Sequence, residues 1–302
     1  HLAYLQGWRA IYLLQYDVAL RRFDALIGTA TDPAIRQRAS ASRINALTLA
    51  RRYEEAFGGL NTMLERLPGL TDPNAREQIL GISGLLLAEV GEYEQAIRYA
   101  TQLRDERPTP WTRCAGSVLI LDALAGQKRL RADDPRLIGT IQECEDSGEP
   151  LPAGLARSLK ISLELAEGKA AELLPTLTRE YERIRATAYP RLVSEHEVLQ
   201  LGRLAEARRH AGAALEAGRG QQTRPQVDAL HLLYRIERAA GNLPAAIDWL
   251  ERHYEARQRF LDDVGVRQMA YQRVRSEALA SRLEIETLSR RNQVMQIEQR
   301  LK

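Results

Sequence analysis

The hydrophobic positions of this chain recur at the three- and four-residue spacing of amphipathic helices, with almost none of the alternation typical of strands. From Leu80 to Pro108 the pattern predicts two such helices, and Gly91 marks the tight turn between them. Tyr93 and Ala96 open the second helix. A single helix pair cannot cover its own apolar face, so the pattern also predicts neighbouring pairs of the same kind.

The spacing in this stretch resembles the tetratricopeptide repeat, a helix–turn–helix of about 34 residues. Nine of its positions match: Leu80, Gly84, Leu87, Gly91, Tyr93, Ala96, Ala100, Leu103 and Pro108. The resemblance implies stacked helix pairs that form a right-handed superhelix. It implies no chemistry, because function in such scaffolds resides in sites added to the fold.

The same pattern recurs along the chain, with Tyr16 and Tyr53 in the place of Tyr93. Seven helix pairs are predicted, at 2–28, 34–67, 80–108, 110–147, 152–186, 188–217 and 226–254. Asp32-Pro33 and Asp134-Pro135 predict fresh helix starts, with a capping carboxylate before a proline. The predicted fold class is all-α: a tetratricopeptide-like right-handed superhelix of about seven pairs, followed by a long C-terminal coiled-coil-like helix.

The character of the chain changes near residue 257, which predicts a sensor or interaction domain at 1–256 and a C-terminal signalling helix at 257–302. Residues 257–302 contain no proline and a single glycine, Gly265. A weak heptad seam with an asparagine in it predicts a parallel homodimer. The residues assigned to this dimer helix are Tyr271, Val274, Ala278, Ile285, Leu288, Asn292 and Met295.

A second apolar stripe on the same helix complicates this picture. It consists of Leu279, Leu283, Val294, Ile297 and Leu301. Either the helix packs on two sides, or its seam shifts partway along. A solvated capping helix is the alternative to the dimer.

The last helix carries a second resemblance, at Arg267–Gln272, Glu284–Leu288 and Arg291–Gln293. These segments are similar to the helix that follows tetratricopeptide arrays in bacterial membrane signalling proteins, namely GGDEF-domain diguanylate cyclases and sensor histidine kinases. In that family the helix leads to a transmembrane segment and an output domain. The resemblance implies the periplasmic part of an inner-membrane protein with a diguanylate cyclase output, a cytoplasmic placement being the alternative.

The sequence shows no apolar run long enough to cross a membrane and no signal peptide. However, His1 starts within a helical pattern, and the chain stops inside a heptad-like helix. We therefore expect a piece of a longer protein, attached to a membrane only through flanking segments.

Charge and motifs narrow the function further. The 43 basic and 40 acidic residues are interspersed, for a net charge of +3, which favours a solvated surface over nucleic-acid binding. No phosphate loop and no metal-spaced His/Cys cluster is present, so we expect no enzyme, cofactor or metal within these residues.

The two cysteines, Cys114 and Cys144, are too far apart in the sequence for a CxxC motif. The favoured interpretation is two independent buried thiols. A disulfide is the alternative in an oxidising compartment.

Binding is the function that remains. The first helices of such pairs line the concave face of a superhelix, which places ten residues inward: Trp8, Tyr12, Arg38, Asn45, Gln78, Arg113, His196, His231, Arg235 and Arg238. These side chains suit a peptide, a protein partner or a small ligand, whose carboxylates arginine would bind bidentately.

The predicted function is the sensory or protein-interaction region of a bacterial signal-transduction protein. Binding in the groove would be relayed through the dimeric C-terminal helix to an output domain outside this sequence. The alternatives are a cytoplasmic helical-repeat regulator of transcription and a passive scaffold for protein assembly.

Overall fold

The computed structural model describes residues 2–166 and 224–300, and all regular secondary structure in those residues is helical. The predicted all-α class is thereby confirmed. The chain forms two compact units: unit one is His1–Ile79 with Gly265–Lys302, and unit two is Leu80–Val264. The predicted sixth pair, and the second helix of the fifth, lie outside the described residues.

The described residues contain eleven α-helices and a 3₁₀ turn at Leu67–Gly69. The helices are α1 Leu2–Tyr12, α2 Tyr16–Thr29, α3 Pro33–Leu49, α4 Tyr53–Glu65, α5 Pro73–Glu89, α6 Tyr93–Asp105, α7 Pro110–Gly126, α8 Pro135–Asp146, α9 Pro150–Ala166, α10 Arg224–Ala239 and α11 Leu243–Arg300. Each of the first four predicted pairs therefore contains two helices. The third pair starts at Pro73, seven residues before the predicted Leu80, because Asp72 accepts a hydrogen bond from the Ala75 N–H and caps the helix there.

One backbone motif recurs at the turns after α1, α3, α5, α7, α8 and α10. A residue with positive φ ends the helix, and the next N–H donates to the carbonyl oxygen five residues earlier, which satisfies a helix-end acceptor. After α5, Gly91 has a φ of 86°, and the Glu92 N–H donates to the Leu87 oxygen at 2.8 Å. The residues in this position are Leu14, Arg51, Gly91, Lys128, Gly148 and Gly241.

The core of unit one joins α1 to α4. Phe23 is fully buried at its centre, and its ring centroid lies 6.1 Å from that of Tyr4. A Cβ placed on Gly7 would come within 2.6 Å of the Phe23 ring. The first helix can therefore pack on the second only because Gly7 has no side chain. The other buried members are Ala10, Ile11, Ala19, Leu20, Ala39, Ala46, Leu47 and Ala56.

In unit two, α6 and α7 pack through small residues. A Cβ on Gly116 would lie 2.7 Å from the Ala100 carbonyl oxygen and 2.9 Å from the Arg104 nitrogen. Both neighbours are backbone atoms of α6, so the backbones of α6 and α7 approach too closely for any side chain to fit at position 116. Leu121, Leu137 and Ala156 extend the core from α7 to α8 and α9.

Cys114 of α7 and Cys144 of α8 form a disulfide, with 5.5 Å between their Cα atoms. Both residues are fully buried, together with Ala153 of α9. The sequence-based preference for two independent thiols was therefore wrong. Helices α7, α8 and α9 pack on one another and bring the two cysteines within bonding distance. Their sequence separation of 30 residues does not reveal this contact.

Helix α11 runs unbroken from Leu243 to Arg300, so the boundary predicted near 257 lies inside a continuous helix. Its covered positions within unit one include Ala270, Tyr271, Val274 and Ala278. From Leu279 to Ile297 every side chain is exposed. The part of this helix in unit one thus has a packed first half and an unpacked second half.

Candidate functional site

The residues predicted to line the groove have different surroundings in the structure, and two of them are parts of polar networks. Arg38 donates two hydrogen bonds to the Asp72 carboxylate, from Nε at 2.8 Å and from Nη2 at 2.7 Å. The Asp72 side chain is 4% exposed and that of Arg38 is 22% exposed. The Arg38 hydrogen bond, with the one from the Ala75 N–H, holds the pKa of Asp72 below its usual range against the opposing effect of burial.

Gln78 belongs to a triangle of hydrogen bonds between α1, α3 and α5. Its Nε2 donates to the Tyr4 hydroxyl at 3.0 Å, and its Oε1 accepts from the Ser42 hydroxyl at 3.2 Å. The two hydroxyls lie 3.1 Å apart. The three polar side chains therefore satisfy one another's hydrogen bonds where α1, α3 and α5 meet. Gln78, like Arg38 with its bonds to Asp72, thus contributes to helix packing.

The other predicted groove residues in unit one are more accessible. Trp8 is half-buried and Tyr12 is 67% exposed, with 6.3 Å between their ring centroids. Asn45 is half-buried on α3. These three side chains remain candidates for contact with a partner.

In unit two, Arg113 is paired with Glu143 at 3.1 Å on a partly exposed surface. The His231 ring is close to two others, with its centroid 5.9 Å from that of Tyr234 and 4.9 Å from that of His253. Arg238 donates to the Tyr234 hydroxyl, and Arg235 is exposed. His196 lies outside the described residues. The single groove proposed from the sequence stays a prediction.

A contact that the sequence did not predict joins α11 to α4 within unit one. Phe57, which is 3% exposed, meets the edge of the Tyr271 ring at a centroid distance of 5.3 Å. The Arg267 guanidinium lies 5.0 Å from the centroid of the Tyr53 ring, and its Nη2 donates to the Tyr53 hydroxyl at 3.3 Å. We call this set of contacts, with the two ion pairs described next, the α4 clamp.

Two ion pairs extend the α4 clamp along both helices. Arg273 pairs with Glu54 at 3.1 Å, and Arg282 pairs with Glu65 at 3.4 Å. All four side chains are more than half exposed, so each pair contributes little to stability. Since later residues of α4 pair with later residues of α11, the two helices run in the same direction.

An open groove of about 670 Å³ lies beside the clamp, between the start of α4 and α11. Its volume is within the usual range for ligand pockets. Its lining combines three arginines and two glutamates with apolar side chains: Arg51, Arg52, Tyr53, Glu54, Glu55, Val266, Met269, Ala270 and Arg273. Arg52 grips Glu55 with two hydrogen bonds, of 2.6 and 2.7 Å, which lower the pKa of that carboxyl. This mixed lining fits an amphipathic peptide better than a purely anionic ligand.

Neither metal binding nor membrane crossing gains support from the described part of the chain. There, no group of three or more His, Cys, Asp or Glu side chains is placed to hold a metal ion. In residues 2–166 and 224–300, no helix combines the length and the hydropathy that a membrane span requires.

Neither a family model nor a curated protein matches this chain. The two resemblances seen in the sequence, to tetratricopeptide repeats and to the signalling helix, therefore stay predictions.

Proposed function

We propose that this chain is the sensory or protein-interaction region of a bacterial signal-transduction protein. Its helix pairs would form a tetratricopeptide-like right-handed superhelix that takes a peptide, a protein partner or a small ligand. A dimer of the C-terminal helix would relay binding to an output domain outside residues 1–302, with a diguanylate cyclase as the favoured output.

The exposed second half of α11 is the observation that carries this proposal. Ile285, Leu288 and Met295 are 63%, 51% and 53% exposed, and they follow one heptad seam. Consecutive large apolar side chains at this spacing are typical of a helix that pairs with another helix. Asn292 in the same seam favours a parallel pair with one register, because each asparagine then faces its counterpart.

The recurring turn supports the repeat part of the proposal. Four successive helix pairs in the described residues join through short loops, and three of their second helices begin at a tyrosine: Tyr16, Tyr53 and Tyr93. A turn geometry that recurs from one helix pair to the next is consistent with stacked repeats of one helix–turn–helix unit.

The disulfide supports the periplasmic placement over the cytoplasmic alternative. Disulfides persist in oxidising compartments and are rare where glutathione keeps thiols reduced. A buried Cys114–Cys144 bond is thus consistent with a sensor region outside the cytoplasm. A cytoplasmic regulator of transcription gains nothing from it.

Relay requires two arrangements of the dimer helix that the ligand binds unequally. A ligand of equal affinity for both would shift nothing. In the proposed relay, the ligand binds to the superhelix, and α11 is the helix that changes between the two arrangements.

Light scattering of the intact chain tests the dimer on which the relay depends. We expect twice the chain mass of 34.0 kDa for the unaltered protein. Replacing two seam residues, Ile285→Glu with Leu288→Glu, should give the single-chain mass, because four carboxylates would then face one another across the seam. As a matched control, Leu283→Glu changes an equally exposed position on the other stripe and should leave the dimer intact.

A single-chain mass for the unaltered protein would contradict the proposal and favour the passive scaffold. Loss of the dimer in Leu283→Glu alone would move the interface to the second stripe. Leu283, Ile285 and Leu288 are all exposed within the chain, so their replacement should leave the helices of each chain folded. Circular dichroism should therefore show unchanged helicity in every variant.

A further inference from the structure

The face of α11 that the clamp covers is the same face that carries the predicted dimer seam. Tyr271, Val274 and Ala278 are half-buried, and Tyr271 lies against Phe57. Continuing the same helical spacing leads to Ile285, Leu288 and Met295, all exposed. One continuous stripe is therefore covered in its first part and open in its second.

The covered part ends where α4 ends. The last ion pair of the clamp joins Arg282 to Glu65, and Glu65 is the final residue of α4. From Leu283 to Arg300 the helix extends about 27 Å further, at 1.5 Å per residue. The open length of the seam is thus set by the length of α4.

The direction of α4 matters as much as its length. Helix α4 runs parallel to α11, as the second copy would in the predicted parallel dimer. A second copy of α11 can therefore take the place of α4 along the seam without reversing its direction. Helix α4 and the second copy cannot both pack on Tyr271, which already lies against Phe57.

We propose that α4 is an intramolecular substitute for the second copy of α11, and that it limits the dimer to residues beyond Arg282. When the clamp opens, the dimer extends back to Tyr271. This rests on the dimer of the proposed function and adds the regulation of its length. The clamp is suited to opening, because both ion pairs are exposed and exposed ion pairs are weak.

Cysteine crosslinking of the full chain tests this proposal, since the two native cysteines are bonded to each other. A residue in the seam of a parallel dimer faces its own counterpart, so a single cysteine there forms an interchain disulfide under mild oxidation. We expect Met295→Cys to crosslink rapidly in an otherwise unaltered chain. Val274→Cys should crosslink at least ten-fold more slowly, because position 274 is half-buried and lies one turn after Tyr271 on the face that meets α4.

Charge reversal then opens the clamp without touching its apolar core. Glu54→Arg with Glu65→Arg places arginines against Arg273 and Arg282, and we expect Val274→Cys crosslinking to rise at least ten-fold. Adding Arg273→Glu with Arg282→Glu restores both ion pairs with the charges exchanged between the helices. The Val274→Cys crosslinking should then become slow again. Thr62→Arg, an exposed position of α4 outside the clamp, should leave the rate unchanged.

Each other outcome has a distinct meaning. Equal crosslinking at positions 274 and 295 in the unaltered chain overturns the clamp and leaves the dimer standing. No effect of charge reversal, or no rescue by the swapped pairs, also overturns the clamp. No crosslinking at Met295→Cys overturns the dimer of the proposed function instead.

Discussion

Two joints between helices, one in each unit, are held by different chemistry. In unit one, α1, α3 and the start of α5 meet through Arg38–Asp72 and the triangle around Gln78. In unit two, α6 to α8 meet through the bare backbone contact at Gly116 and the Cys114–Cys144 bond. The first joint can be weakened by protons and the second by a reductant. The same helical architecture therefore offers two independent points of control.

The largest expected effect comes from removing the covalent bond in unit two. Cys114→Ala with Cys144→Ala should lower the free energy of unfolding by about 3–4 kcal/mol, because the 30-residue loop it closes no longer restricts the unfolded chain. Denaturant titration with and without a thiol reductant measures this change. The reductant should lower the free energy of unfolding of the original protein by a similar amount. If the reductant leaves its denaturation midpoint unchanged, the Cys114–Cys144 pairing is contradicted.

The next largest effect comes from the charged joint in unit one. Asp72→Asn should cost about 2–3 kcal/mol, because Arg38 loses its buried partner and α5 loses part of its cap. Asp134→Asn is a matched control, since Asp134 also precedes a proline, caps a helix and pairs with an arginine, Arg136, but at a more exposed place. We expect it to cost about 1 kcal/mol or less.

The Asp72 effect should also depend on pH, with a sign fixed by the lowered pKa. The folded state binds the proton more weakly than the unfolded state, whose pKa is about 3.9. The contribution is therefore complete above that value and is lost as the pH falls through the folded pKa. In urea titrations, the difference between unaltered protein and Asp72→Asn should be constant above about pH 5 and shrink below about pH 4.

The smallest effect tests how closely α6 and α7 approach. Gly116→Ala should cost about 1–3 kcal/mol, because its Cβ would meet backbone atoms that cannot rotate away. Gly139→Ala on α8 is the control, since a Cβ there meets nothing within 4 Å. It should gain about 0.5–1 kcal/mol from reduced chain entropy. Equal thermal melting shifts for the two variants would show that α6 and α7 are further apart.

Local features of the fold could be predicted from the sequence. Asp32-Pro33 and Asp134-Pro135 were expected to start helices, and both aspartates accept N-terminal N–H bonds in α3 and α8. Gly91 was expected at a turn, where it has positive φ. These outcomes depend on residues within one turn of each other, so neighbouring residues are enough to predict them.

Contacts between distant residues could not be predicted in the same way. Arg38 was assigned to a binding groove, but its partner Asp72 is 34 residues away and depends on how α3 faces α5. Arg267 and Tyr53 are 214 residues apart. The sequence marked the face of Tyr271, Val274 and Ala278 as apolar but assigned it to a second copy of the helix, whereas in the structure Tyr271 lies against Phe57 of α4. Such contacts depend on how each helix is rotated about its axis relative to its neighbour. The spacing of apolar residues along a single helix does not determine that rotation.

The Cys114–Cys144 bond also has a consequence for how the protein is made. Residues 1–302 contain only these two cysteines, so within them the chain has a single intramolecular pairing and no wrong one. Its maturation then requires an oxidase to supply the bond but no isomerase to reshuffle it. Chains produced in a reducing cytosol would therefore lack this bond, and within each chain a mild oxidant could form only the Cys114–Cys144 pair.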